Sequence, residues 1–274
     1  LLALNWALEI RERFSVHLGL HNKQVSLRGA ETCFINLESF ELLTNSLELI
    51  KPQLVIHTAG FTNVDNCEKL PGVAKLANVD IASNIARACN QQSIPLVHIS
   101  TDHLFSGKHQ FVDEVTKPEP LNVYGSTKAE AEAAVLNNHP DALVIRTNFF
   151  GWGTSYRRSF SDIIIDALRS GTDITLFKDV YFTPILAESL VRTVHDLVDA
   201  KASGIFNVVG DERLSKYEFG LKTAKAFGLN LGLIKAGFMA EHKSLTRRPY
   251  DMSLSNTKIC KMLGRKMGGV EEQL

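Results

Sequence analysis

No run of 18 or more apolar residues occurs anywhere in the 274-residue sequence, so no segment has the length and apolarity of a membrane-spanning helix. The four cysteines, Cys33, Cys67, Cys89 and Cys260, are too few and too scattered for a disulfide framework, and no CxxC pair signals a zinc site. A reducing, cytoplasmic setting is the default. Neither charge is in excess, since 30 Lys and Arg balance 30 Asp and Glu; no field favours nucleic acid or an anionic membrane, and a small-molecule partner is expected. His57 and His98 lack an HxxxH partner or a carboxylate at metal-ligand spacing, so they are expected as core histidines, and no metal is expected. Repeats and low-complexity segments are missing. The opening residues, LLALNWALEIRERF, lack the pattern of a secretory leader and read as an amphipathic helix with no strand before it, an opening that points to further chain upstream.

What is present alternates. Apolar stretches suited to buried strands lie at Val16–Leu20, Leu54–Thr58, Leu96–Ser100, Ala142–Arg146 and Ile205–Val209. Helical spacing covers Phe40–Ile50, Gly72–Asn90, Ser126–Asn137, Phe160–Arg169 and Ala187–Val198, with two further helices at Lys216–Phe227 and Asn256–Leu263. Strand alternating with helix predicts an α/β fold, a doubly wound parallel sheet covered on both faces, with ligands at the carboxyl ends of the strands. Those ends carry Thr58, Ala59 and Gly60, then Ser100 and Thr101, then Thr147 and Asn148. Residues 1–153 with 184–210 are expected to form the sheet domain, and 154–183 with 211–274 a smaller carboxyl-terminal lobe.

The stretch from Val97 to Lys128 concentrates the chemistry. A strand ends in Ser100, Thr101 and Asp102, and a tyrosine lies 23 residues after Thr101, with a lysine four positions beyond it. On a helix that spacing puts Tyr124 and Lys128 on one face. A phenol is a poor acid-base group at neutral pH, but a nearby cation stabilises its anion, and the Thr101 hydroxyl completes a set able to bind a carbonyl oxygen. Two arginine pairs, Arg157 with Arg158 and Arg247 with Arg248, suit a diphosphate.

The segments KPQLVIHTAGFTNVDNCE, LANVDIASNIARA, PLVHISTDHLFSG, EPLNVYGSTKAEAE, VIRTNFFGWG and RRPYDMSLSNTKICKMLG, in this order, resemble the extended short-chain dehydrogenase/reductases, and within them the dTDP-4-dehydrorhamnose reductase group. The resemblance implies a Rossmann-type lobe for NADPH or NADH, a carboxyl-terminal lobe for a nucleotide sugar, and reduction of a 4-keto group. It implies Tyr124 as proton donor, Lys128 as the residue that orients the nicotinamide ribose and lowers the tyrosine pKa, and Thr101 as the hydroxyl that polarises the substrate oxygen. Thr58, Ala59, Gly60 and Asn78 fall at cofactor positions, with Asn36 and Leu37 beside the adenine. Thr62, Val64, His103 and Phe149 fall at positions lining the sugar-nucleotide pocket. Asn36 stands where the group usually has an aspartate, His103 where a tyrosine is usual, and Phe149 where a tryptophan is usual. The glycine-rich pyrophosphate turn that should precede the first helix is not in these residues, and Leu1 and Leu2 resemble the residues just after its final glycine. His21, Asn22 and Lys23, with Arg28 nearby, offer no acid to the ribose hydroxyls and lean the expectation toward NADPH. His103 after Asp102, where dehydratases of the superfamily place a glutamate, argues against dehydration. A nucleotide-sugar epimerase and a non-catalytic cofactor-binding regulatory subunit, of the methionine adenosyltransferase beta kind, stay open, as does a homodimer.

Overall fold

The computed structural model describes residues 1–20, 24–242 and 246–274; His21, Asn22 and Lys23, on which the NADPH expectation rests, lie outside the described residues. The chain opens with helix α1 (Leu2–Ile10), then strands β1 (His17–Leu20) and β2 (Glu31–Phe34), which pair in parallel. Helix α2 (Phe40–Ile50) leads to β3 (Val55–His57). After α3 (Val64–Lys69) and α4 (Pro71–Lys75), a five-residue π turn, Leu76–Asp80, runs into α5 (Ile81–Gln91), so one expected helix is interrupted. Then come β4 (Leu96–Ile99), α6 (Val123–Asn138) and β5 (Leu143–Arg146).

Beyond β5 lie the short strand β6 (Phe149–Phe150), α7 (Phe160–Arg169), β7 (Ile174–Phe177), β8 (Tyr181–Phe182) and β9 (Ile185–Leu186). Next are α8 (Ala187–Asp199), β10 (Gly204–Asn207), β11 (Leu214–Ser215), α9 (Lys216–Ala226), β12 (Ile234–Gly237), α10 (Thr257–Leu263) and α11 (Val270–Gln273). The principal sheet is fully parallel, in the order β10, β5, β4, β3. Its strands are apolar on both sides because both sides are covered. Val97, Leu143 and Ile145 face a core with Leu2 and Trp6 of α1, Leu190, Val191, Val194 and Leu197 of α8, and Ile259 of α10. Leu96 and Val144 point the other way, onto Leu43 and Leu47 of α2, Ala82, Ile85 and Cys89 of α5, and Ala131 and Val135 of α6. This period-two alternation is the doubly wound α/β arrangement.

A second core gathers Ile164 and Leu168 of α7, Leu176 of β7, Phe182 of β8, Phe219 of α9 and Ile234 of β12. Its pairings are small, β7 with β12 in parallel and β8 with β11 antiparallel. Among the described residues, no helix is long and apolar enough to cross a membrane.

Candidate active site

Helix α6 builds the site from its first turn. Asn122 caps it, its side-chain oxygen accepting from the Gly125 N–H at 2.9 Å, and the Glu68 carboxylate accepts from the Val123 N–H at 3.0 Å. Gly125 has no alternative, since a Cβ there would lie 2.4 Å from the His103 carbonyl oxygen. The close approach brings the loop after β4 onto the helix and sets Thr101 beside Tyr124.

Thr101, Tyr124 and Lys128 are buried, at 5%, 8% and 4% exposure. Burial pushes the Tyr124 phenol up to about 12, a hydrogen bond with Thr101 pulls it back, and the Asp102 carboxylate raises it further. Burial pulls the Lys128 ammonium down to about 8, opposed by the negative charge of Glu132. The lysine donates to the Ile99 carbonyl at 2.7 Å and stands 3.2 Å from Nε2 of His98. One helical turn on, Glu132 receives Arg146 through Nε at 3.0 Å and Nη2 at 2.8 Å, and the Ser100 hydroxyl at 2.5 Å. Ser100 therefore points at α6. Asp102 accepts from the Asn148 amide at 2.5 Å, which anchors the loop that carries Thr101 to the end of β5.

The remaining candidates spread around this centre. Thr58, Ala59 and Gly60 come directly after β3, next to the β4 end, with Ala59 and Gly60 exposed. Asn78 is buried in the π turn, its amide fully engaged: it accepts from the Phe61 N–H at 2.7 Å and donates to the Phe61 carbonyl and to Thr127, each at 3.0 Å. It holds the loop after Gly60 in place. Asn36 uses its side-chain oxygen to accept from the N–H groups of Glu38 and Ser39, an Asx turn into α2, and Leu37 packs on the α2–α5 core.

On the other side, Val64 packs with Tyr124 and Cys67. Thr62 is exposed and accepts a hydrogen bond from Arg157 at 2.5 Å. His103 lies edge-on to the Tyr124 ring, centroids 5.5 Å apart, with its Nδ1 buried and unpartnered; burial lowers its pKa. Phe149 pairs with Ile185 and packs toward the α1–α8 core. Two of the four arginines are held by acids, Arg158 by Asp166 and Arg248 by Asp65 at 2.7 Å. Among the described residues, no group of three or more His, Cys, Asp or Glu side chains is arranged to hold a metal ion.

Sequence reasoning missed Glu132, Arg146 and Lys216, and named Asn148 only as a polar strand end. Tyr124, Lys128 and Glu132 repeat every four residues, a signal that was readable. Lys216 was not readable, because it arrives from the distant start of α9, its ammonium 3.3 Å from the centre of the Phe182 ring with Asp102 raising its otherwise depressed pKa.

The chain is 31% identical over 269 residues to the probable low-salt glycan biosynthesis reductase Agl14 of Haloferax volcanii, covering 97% of this chain and 90% of that one. It is 28% identical over 236 residues to methionine adenosyltransferase 2 subunit beta of Xenopus tropicalis, covering 84% and 70%. The crystal structure of a hypothetical dTDP-4-dehydrorhamnose reductase from Sulfolobus tokodaii superimposes with a TM-score of 0.85 at 28% identity, covering 98% of this chain and 93% of that one. The family described as RmlD substrate binding domain matches residues 16–274, and the chain belongs to it.

Proposed function

We propose that this chain is an NAD(P)H-dependent reductase of a 4-keto nucleotide sugar, with a dTDP-linked 4-keto-6-deoxy sugar as the first substrate to try. The observation that carries the reading is the buried set of Thr101, just after β4, and Tyr124 and Lys128, one turn apart on α6, with the phenol hydrogen-bonded to the Thr101 hydroxyl and the ammonium on the Ile99 carbonyl at the end of β4. Residues at the β3 and β4 ends would hold a nicotinamide cofactor, which would supply the hydride when bound. The residues present fit that end of the cofactor: a small, exposed Ala59–Gly60 segment leaves room for a flat ring, and Lys128 reaches the same edge from α6. Thr101 holds the substrate oxygen, Tyr124 gives it a proton, and Lys128 stabilises the phenolate left behind.

Thr58, Ala59, Gly60, Asn36 and Leu37 line the cofactor side in this reading, with Asn78 acting through the loop it clamps. Thr62, Val64 and His103 line the sugar side, with Phe149 behind them. Residues 154–183 and 211–274 form the substrate lobe, apart from α10, whose Ile259 packs with the sheet core. NADPH is preferred to NADH and the setting is cytoplasmic. The similarity to a reductase and to a structure described as a reductase supports this reading over an epimerase or a regulatory subunit.

NADPH oxidation with dTDP-4-dehydrorhamnose by the full-length protein tests it. Tyr124→Phe is expected to lower kcat by about 10²–10⁴ with cofactor affinity nearly unchanged. Turnover equal to wild type in that variant removes the mechanism, and absent turnover with a co-purifying partner protein replaces the reductase with a regulatory subunit.

A further inference from the structure

Behind Lys128 the sheet presents two imidazoles that the proposed mechanism does not use. His57 on β3 and His98 on β4 are cross-strand partners, so both rings point to the α6 side of the sheet. They are buried, at 4% and 0% exposure, and their Nδ1 atoms stand 2.9 Å apart. The other end of the His98 ring, Nε2, meets the Lys128 ammonium at 3.2 Å.

The first member of this chain fixes the direction of every hydrogen bond in it. An ammonium only donates, so Nε2 of His98 must accept, and the single proton of the neutral ring then sits on Nδ1. That proton faces Nδ1 of His57, which must in turn accept, and so the His57 proton sits on Nε2. A second proton on either ring would set N–H against N–H. Burial and the Lys128 charge push both rings strongly toward the neutral form, His57 to about 3. The charged and titratable groups around the ammonium are Glu132 on its own helix, with Arg146 of β5 bound to it, and these two histidines; Tyr124 lies one turn back on the same helix. Glu132 is engaged by Arg146 and Ser100, so with the Ile99 carbonyl, His98 is what holds the ammonium in place.

We propose that His98 and His57 are positioning residues for catalysis: a one-way hydrogen-bonded chain that holds Lys128 in place and keeps it protonated beside Tyr124. The inference rests on the assignment of Lys128 to the catalytic set. His98 acts directly on the ammonium, and His57 acts by fixing the tautomer of His98. The chain senses the lysine's charge, because only a neutral lysine allows the polarity to reverse.

Two measurements test this. Nitrogen-15 NMR of the wild-type full-length protein at neutral pH should show His98 protonated on Nδ1 and His57 on Nε2; the opposite tautomer at His98 overturns the proposal whatever the variants do. In the NADPH assay, His98→Leu should lower kcat about tenfold and move the alkaline limb of the pH profile down by about one unit, with KM nearly unchanged. His98→Gln, whose side-chain oxygen still accepts from Lys128, should recover most of both effects. Wild-type kcat and limb in a folded His98→Leu protein overturn the proposal, as does equal loss in both variants with the limb unmoved, which marks a purely structural role. Lys128→Met is the separate control: full turnover there removes the catalytic reading itself, while its inactivity beside an unaffected His98→Leu removes only the histidine chain.

Discussion

Tyr124 and Lys128 are shifted in opposite directions by the same cause. Burial disfavours charge, so the phenol rises to about 12 and the ammonium falls to about 8. At neutral pH the pair is therefore a protonated tyrosine beside a charged lysine, the state a proton donor requires. The ammonium is fully present below about 8 and is lost as pH rises through that value, which sets the sign of the pH dependence. Loss of the cation removes the partner of the developing phenolate, so kcat/KM for reduction should be level near pH 7 and fall about tenfold per unit well above pH 8. A profile that stays level to pH 10 would show that Lys128 keeps its proton or is not needed. His103 adds a neutral, edge-on ring rather than a second acid, because burial holds its proton off.

Helix α6 carries the chemistry because Tyr124, Lys128 and Glu132 recur every fourth residue along one face. Glu132 is also half of a buried ion pair with Arg146, both side chains at most 5% exposed. Removing one partner from such a pair leaves an uncompensated buried charge, so Glu132→Gln should cost about 3–5 kcal/mol, read as a drop in the urea midpoint. Asn122→Ala removes the helix cap, and with it the donor to the Arg247 carbonyl at 2.9 Å; about 1 kcal/mol is expected from the cap alone. The face was legible in the sequence, as were the alternation of strand and helix and the polar strand ends. The helix start was not: spacing put it at Ser126, but Asn122 caps it and Val123 begins it, which places Tyr124 in the first turn. Strand β2 escaped notice because Glu31, Thr32 and Phe34 are exposed and carry no apolar pattern. The π turn around Asn78 and the His57–His98 pair were beyond reach for another reason. Each depends on register between distant segments, which no local spacing encodes.

At the scale of the whole molecule, the same histidines should set the acid limit of stability. The unfolded chain takes up a proton at each histidine near pH 6.5, while burial holds folded His57 down to about 3 and His98 well below its usual value. A depressed folded pKa means that the unfolded state binds more protons as pH falls, so stability is fully present above about 6.5 and is lost below it. For His57 this is a slope of about 1.4 kcal/mol per pH unit, or roughly 2 kcal/mol by pH 5, and His98 adds to it in the same direction. His103 and His195 are shifted in the same direction and steepen the trend. Asp65 and Asp162 act in a different window: although burial pushes each up, their hydrogen bonds hold both below the usual value of 3.8, so the stability they contribute is lost only in stronger acid. Against a total of about 5–15 kcal/mol, a loss of this size is a sizeable fraction of the stability in mild acid. Urea unfolding at pH 7 and pH 5 should therefore give a much lower midpoint at pH 5, and His57→Leu should flatten the difference by about one histidine's share. An unchanged pH slope in that variant would mean that folded His57 takes up its proton over the same pH range as the unfolded chain, which would also break the one-way chain behind Lys128 in mild acid.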